Sequence, residues 1–184
     1  MTILDRFLQQ RRIQKAISYI PEQSVVLDIG CHRGELFTRL GNRLRYGVGI
    51  DPVLENDTIH EKYELIKEAF PSTRAENKLY HCITMLAVLE HLNPDLQANT
   101  IQACYKLLHK EGVLIVTVPD KKADKILLVL QKLRLIKGMQ LTEHYGFDIL
   151  QIPGLFSNAG FAMVVHKKFQ LGLNNLFVFK KRLC

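Results

Sequence analysis

Residues 25–40 constrain the fold more than any other stretch, because a strand, a short loop and a helix start follow one another there. Residues 25–29 are apolar except for Asp28, as in a buried parallel strand. Gly30 and Gly34 bracket the loop, and apolar residues at helical spacing, up to Leu44, predict a helix from about Gly34. Glycine lacks a Cβ and helix starts carry unpaired backbone N–H groups, so such a turn lets the backbone approach a ligand closely.

A second strand, predicted over residues 46–50, ends in Asp51. This places a carboxylate about 20 residues after the first glycine, where it can accept hydrogen bonds from a ribose diol. The loop has only two glycines and lacks the third one of the dinucleotide fingerprint. The loop alone is therefore also compatible with an ordinary strand-to-helix turn, and Asp51 favours nucleotide binding.

Further elements follow from periodicity and from helix-capping residues. We predict a helix over residues 2–19, strands over 62–67, 80–85 and 113–118, and a helix capped by Asn93 with Pro94 at its first position. The C-terminal part predicts a helix shortened or kinked by Pro153 and Gly154, then an antiparallel hairpin over about 162–168 and 176–181.

Composition limits the domain organisation and the compartment. At 184 residues the chain has room for one domain, which we place at 21–184 behind an N-terminal helix over 1–20. No apolar run is long enough for a membrane span and no signal-peptide core is present, so we expect a cytoplasmic protein. The cysteines are scattered and predict reduced thiols, with neither a disulfide framework nor a metal site. The net charge of +7 favours anionic partners or simply aids solubility.

Three stretches, in this order and spacing, resemble class I S-adenosylmethionine-dependent methyltransferases of the small-molecule, type 11/23-like group. They are VLDIGCHRG at 26–34, YHCITMLAVLEHL at 80–92 and LLHKEGVLIVTVP at 107–119. The resemblance implies an α/β fold, a three-layer α/β/α Rossmann-like arrangement. Its seven-stranded, mostly parallel sheet would have an antiparallel last strand. It also implies S-adenosyl-L-methionine as cofactor and S-adenosyl-L-homocysteine as product.

The resemblance also implies roles for individual residues. Asp28 would orient the cofactor's amino group, the loop at 30–34 would hold its methionine end, and Asp51 would hold the ribose hydroxyls. The expected cofactor-binding residues are Asp28, Gly30, Cys31, His32, Gly34, Asp51, Pro52, Glu68, Ala69, Thr84 and Met85. His32 departs from the pattern, because it replaces the second glycine of the loop. His81 stands where the family usually has Asp, and we expect it to be structural.

His91 and His144 are the candidate general bases, because an imidazole titrates near neutral pH and a hydroxyl acceptor must lose a proton. A structural role for either histidine is an open alternative. The segment 121–137 predicts a basic amphipathic helix, which either covers the sheet or contacts a membrane or a partner.

We interpret the chain as an enzyme that transfers a methyl group from S-adenosylmethionine to an oxygen of a small-molecule acceptor. The basic charge favours an anionic or lipid-linked acceptor. Nucleic acid is not expected, because the chain has no Asn/Asp-Pro-Pro-Tyr sequence. Two alternatives are a non-catalytic, methyltransferase-like binding module that uses the helix at 121–137, and a nicotinamide-dependent oxidoreductase.

Overall fold

The computed structural model describes residues 3–120 and 148–182. The helices are α1 (Ile3–Ile17), α2 (Glu35–Leu40), α3 (Pro94–Leu107) and α4 (Ile152–Asn158). The strands are β1 (Ser24–Ile29), β2 (Leu44–Ile50), β3 (Thr58–Ile59), β4 (Tyr63–Ile66), β5 (Tyr80–Leu86), β6 (Leu108–Pro119), β7 (Phe161–Phe169) and β8 (Asn174–Lys181). The helix expected at 121–137 and the candidate base His144 lie outside the described residues.

One sheet contains these strands in the order β3-β4-β2-β1-β5-β6-β8-β7. Strands β4, β2, β1, β5 and β6 are mutually parallel, and β8 runs antiparallel to both of its neighbours. The predicted fold class, a mostly parallel α/β sheet with an antiparallel last strand, is confirmed. The carboxyl ends of the parallel strands meet at one edge of the sheet, where ligands bind in such folds.

The predicted number of strands was wrong by one, because the sheet formed by residues 3–120 and 148–182 has eight strands and not seven. The additional strand is β3, which pairs antiparallel with β4 through Thr58 and Ile59. Two residues are too few to give a period-two hydrophobic pattern, and Ile59 is 83% exposed, so no burial signal marked this strand.

Two apolar clusters cover the two faces of the sheet and make the structure three-layered. On one face, α3 and α4 contribute buried residues such as Ile101, Cys104 and Phe156. On the other face, α1 and α2 contribute residues such as Ile13 and Phe37. Side chains alternate between the faces along each strand, so a strand buried on both sides is a nearly continuous apolar run.

Capping residues set several helix boundaries. The Asn93 side chain accepts a hydrogen bond of 2.9 Å from the backbone N–H of Leu96, which confirms the predicted start of α3. Proline in the first turn of α4 and the brevity of that helix agree with the predicted shortening. The helix predicted after Gly34 ends at Leu40, and Leu44, predicted to lie on its apolar face, instead begins β2.

No helix in the described ranges combines the length and the apolar character that crossing a bilayer would require.

Candidate functional site

The loop between β1 and α2 is held in a left-handed backbone conformation at three positions. Gly30, His32 and Gly34 have φ angles of +74°, +49° and +77°. The Gly30 N–H donates to the carbonyl of Ile50 at 2.8 Å, which ties the loop to the end of β2. A Cβ on Gly30 would lie 2.4 Å from Cγ2 of Val88, so the loop needs glycine there both for its φ and for space.

The His32 side chain turns towards the start of α2. Its Nδ1 lies 2.9 Å from Oε1 of Glu35, while Oε2 of Glu35 accepts a 3.1 Å hydrogen bond from the Arg33 N–H. The departure from glycine is thus accommodated by a non-glycine residue in a left-handed conformation, which histidine adopts more readily than bulky or β-branched residues. Glu35 had no predicted role, and its position as the first residue of a helix after the loop was the available signal.

The Asp51 carboxylate lies at the carboxyl end of β2 and is held by the backbone on both sides. Its Oδ2 accepts a hydrogen bond of 2.8 Å from the His32 N–H, and its Oδ1 accepts one of 3.0 Å from the Val53 N–H. Asp51 is only 7% exposed. Each carboxylate oxygen has two acceptor sites, so one further hydrogen bond can be accepted at each oxygen. This arrangement suits a vicinal diol.

Asp28, near the end of β1, is a buried carboxyl with an unusual charge state. Its pKa is raised to about 7, chiefly because burial disfavours the charged form. The hydrogen bond from Thr84 lowers the pKa, and the negative charges of Asp51 and Glu35 raise it. The Thr84 hydroxyl donates that bond at 2.6 Å. A cation placed beside Asp28 would favour its ionised form and would complement the three neighbouring carboxyl groups.

Two openings border this group of residues. A cavity of about 30 Å³ is lined by Asp28, Gly30 and Leu86, and by Gln9 and Arg12 of α1, which therefore closes it on one side. A groove of about 440 Å³ runs past His32 and residues 53–56, beside the backbone N–H groups that hold Asp51. Gln9 and Arg12 were not predicted as site residues, because their positions on an amphipathic helix resemble those of any solvent-facing polar residue.

The structure brings together most, but not all, of the predicted cofactor residues. The side chain of Met85 is fully buried in the core, on the sheet face opposite to Asp28 and Thr84. Cys31 is a buried residue of the loop itself, and burial raises the pKa of its thiol. Pro52 and Ala69 are exposed near the carboxyl edge.

Glu68 already has partners within the chain. Its carboxylate accepts a short hydrogen bond from the Ser72 hydroxyl and lies 3.4 Å from Nη1 of Arg74. A contact between Glu68 and an adenine would have to share these oxygens.

Two of the histidines singled out in the sequence have clear positions. His91 is exposed in the short turn that follows β5, and its backbone N–H donates to the carbonyl of Val88 at 3.0 Å. His81 accepts a hydrogen bond of 3.1 Å at Nδ1 from the Val25 N–H, and its ring stacks on that of His109. His81 therefore has the structural role that we expected for it.

Comparisons with known proteins give a consistent result. A family model described as a methyltransferase domain matches residues 3–166. Among curated proteins, the mitochondrial ubiquinone biosynthesis O-methyltransferase of Rattus norvegicus is 32% identical over 108 residues. That alignment covers 52% of this chain and 31% of the relative, so the chain spans about a third of the length of this relative.

Solved structures share the fold at low sequence identity. The 1,6-didemethyltoxoflavin-N1-methyltransferase of Burkholderia thailandensis, solved with S-adenosylhomocysteine bound, superposes with a TM-score of 0.69 at 15% identity, covering 97% of this chain and 82% of that one. The magnesium protoporphyrin IX methyltransferase of Synechocystis PCC 6803, also with S-adenosylhomocysteine bound, gives 0.69 at 17% identity, covering 99% and 89%.

Proposed function

The chain belongs to the methyltransferase-domain family whose model spans residues 3–166, and on this premise we propose that it transfers a methyl group from S-adenosylmethionine to an oxygen of a small-molecule acceptor. The family match confirms the resemblance that the three sequence motifs indicated. It also favours methyl transfer over the nicotinamide-dependent alternative.

The residues at the carboxyl edge fit this cofactor in charge and in hydrogen-bonding capacity. The strongest support comes from Asp51, whose carboxylate is fixed by two backbone N–H groups and keeps acceptor sites for a ribose diol. Asp28, with its pKa raised to about 7, would be stabilised in its ionised form by the cofactor's ammonium group. Loop residues 30–34 would hold the carboxylate end.

The remaining contacts are proposals of the same kind. Pro52, Glu68 and Ala69 would lie along the adenine, with Glu68 sharing its oxygens with Ser72 and Arg74. Thr84 is also fully buried and would act by holding the Asp28 carboxyl through its hydroxyl. Met85 would support the site by packing in the core and would not contact the cofactor directly, since it is fully buried.

S-adenosylmethionine, when bound, supplies a methyl carbon that its sulfonium activates towards displacement. The chain's own contribution is to orient donor and acceptor at the carboxyl edge of β1, β2 and β5. His91, in the turn after β5, would accept the proton of an acceptor hydroxyl, because an imidazole can be neutral near pH 7. His144 is the second candidate base.

Oxygen as the acceptor atom rests on the O-methyltransferase relative, and nitrogen is the competing acceptor. Proton removal is what separates the two, because a neutral amine attacks before it loses its proton whereas a hydroxyl needs a base.

A reducing, cytoplasmic compartment is supported by Cys31, Cys82 and Cys104, which are all free and buried.

Calorimetric titration with S-adenosylhomocysteine and S-adenosylmethionine tests the cofactor. Micromolar binding that Asp51→Asn weakens would support the proposal. Folded protein that binds neither compound would overturn it and would favour the non-catalytic binding module.

Transfer of a labelled methyl group to a panel of catechols and aromatic amines then tests the acceptor. We expect catechols to be methylated, with His91→Gln lowering kcat and leaving the KM for S-adenosylmethionine unchanged. Exclusive methylation of amines would overturn oxygen as the acceptor atom.

A further inference from the structure

A second groove, of about 530 Å³, lies between α1 and α2 and carries a concentration of arginines. Its walls are two polar stripes at helical spacing. Arg6, Gln9 and Gln10 face it from α1, and Glu35, Thr38 and Arg39 face it from α2. The buried residues of the same two helices, such as Ile13 and Leu36, lie beneath it in the core.

The positive charges in this groove are not neutralised by the described part of the chain. For the guanidinium groups of Arg6 and Arg33, the described side chains, which begin at residue 6, provide no hydrogen bond or ion pair. Arg39 reaches only a neutral amide, the Oε1 of Gln14 at 3.4 Å. Arg33, in the loop before α2, also lines the groove. The groove therefore presents three guanidinium groups that have no carboxylate partner among the described side chains.

Glu35 is the acidic side chain among the lining residues, and both of its oxygens are engaged. They contact Nδ1 of His32 at 2.9 Å and the Arg33 N–H at 3.1 Å. With three arginines and one glutamate, the lining carries about two net positive charges. A phosphate monoester carries about 1.5 to 2 negative charges at pH 7, so the charges match.

The groove also communicates with the cofactor cavity. Gln9 and Glu35 line both spaces, so the arginine groove opens next to the cavity at Asp28 and Gly30, where we place the methionine end of the cofactor. Planar guanidinium groups bind phosphate oxygens in pairs, and the amides of Gln9 and Gln10 add neutral donors.

We propose that the groove between α1 and α2 binds the phosphate group of a phosphorylated methyl acceptor. The binding of phosphate rests on the groove itself, whereas the acceptor role rests on the proposed methyl transfer. The phosphate can belong to a soluble ester or to a lipid, and the chemistry of recognition is the same for both.

Calorimetric titration of the full chain with phenyl phosphate tests this site. The double variant Arg6→Gln/Arg39→Gln removes two groove charges, and we expect it to bind at least tenfold more weakly. The matched control is Arg11→Gln/Arg45→Gln, which removes two exposed arginines that do not line the groove. It should stay within twofold of the wild type. Equal weakening in both double variants would overturn the proposal, because it would mean attraction by net charge alone.

Two further arms identify the source of the phosphate. Inorganic phosphate should bind more weakly than phenyl phosphate, and equal affinity would overturn the acceptor role. The last arm replaces phenyl phosphate with vesicles of phosphatidylcholine and phosphatidic acid. If the wild type binds these vesicles and Arg6→Gln/Arg39→Gln does not, the phosphate belongs to a lipid. A wild-type protein that binds neither phenyl phosphate nor these vesicles would overturn the proposal.

Titration with S-adenosylhomocysteine separates the two proposals. It should give the same affinity, within twofold, for the wild type and both double variants. If the wild type binds phenyl phosphate but not S-adenosylhomocysteine, the proposed function fails and the acceptor role with it, while the phosphate site stands.

Discussion

The carboxylate of Asp51 accepts a 2.8 Å hydrogen bond from the backbone N–H of His32. The residue that follows β2 therefore fixes the loop that follows β1. The same carboxylate holds the Val53 N–H through its other oxygen, so it organises both sides of the edge at which we place the cofactor.

Asp51→Asn tests this double role. An asparagine keeps one acceptor oxygen but points an NH₂ group at one of the two backbone N–H donors. We expect an affinity for S-adenosylhomocysteine about 10- to 100-fold lower, as one to two charge-assisted hydrogen bonds are lost. The unfolding free energy should fall by about 1–3 kcal/mol.

Calorimetry and urea unfolding measure the two effects of Asp51→Asn separately. Glu61→Gln removes an exposed carboxylate from the same half of the chain and should change neither quantity. Unaltered affinity in Asp51→Asn would remove this residue from the cofactor site.

Asp28 should make the protein less stable as the pH rises. Its folded-state pKa of about 7 lies above the ordinary value of 3.8, so between these values the folded state holds a proton that the unfolded state has lost. The unfolding free energy contributed by this group is therefore highest below about pH 4 and falls as the pH rises towards 7. The shift corresponds to about 4 kcal/mol.

Asp28→Asn should abolish this pH-dependent contribution to the unfolding free energy, because an amide does not titrate. Urea unfolding at pH 4.5 and pH 8 should show the variant gaining stability relative to the wild type by about 3 kcal/mol across that interval, because the interval begins above the unfolded-state pKa. Asp95→Asn, which removes an exposed carboxylate at the start of α3, should keep the wild-type profile. Parallel profiles for the wild type and Asp28→Asn would contradict the burial of a protonated carboxyl.

Gly30→Ala tests the close approach of the loop to Val88. The new Cβ would lie 2.4 Å from Cγ2 of Val88, at a φ of +74° that costs an alanine about 1–2 kcal/mol. We expect a loss of about 2–4 kcal/mol in unfolding free energy, with strain from overpacking added to the cost in φ. In a Val88→Ala background the loss in unfolding free energy should shrink to the cost of placing an alanine at this positive φ.

Gly154→Ala is the matched control for Gly30→Ala. Gly154 lies in α4, and nothing lies within 4 Å of its added Cβ, so the substitution should be neutral or stabilising by up to about 1 kcal/mol. Equal losses at the two glycines would exclude the packing explanation.

The elements predicted from sequence were those with a continuous local signal. The apolar run of β1, the Asn93–Pro94 cap and the terminal hairpin were located within one to three residues of the structure. Two features had no such signal. Strand β3 is two exposed residues long, and Leu44 continued a helical spacing although the chain turns at Gly41.

Sequence could locate site residues whose type and spacing are sufficient to identify them. It could not predict properties that depend on neighbours distant in the sequence. Asp51 could be located by its distance from Gly30. The high pKa of Asp28 depends on burial and on Glu35, and the cavity beside it is completed by Arg12 of α1. The cavity arises only when α1 packs against the loop, and the carboxyl groups approach each other only when β1, β2 and α2 come together. No local pattern encodes either arrangement.

His81 offers a test that separates structure from chemistry. Its Nδ1 accepts the Val25 N–H at 3.1 Å, and the loss of this acceptor leaves a partly buried backbone donor unpaired. We expect His81→Ala to lower the unfolding free energy by about 1–3 kcal/mol. His81→Asn should recover part of that loss, since the Oδ1 of asparagine can take the place of Nδ1.

Affinity for S-adenosylhomocysteine should stay within twofold in both variants. A variant with wild-type stability and weakened binding would instead place His81 in the cofactor site, so urea unfolding and calorimetry on the same two proteins decide the question.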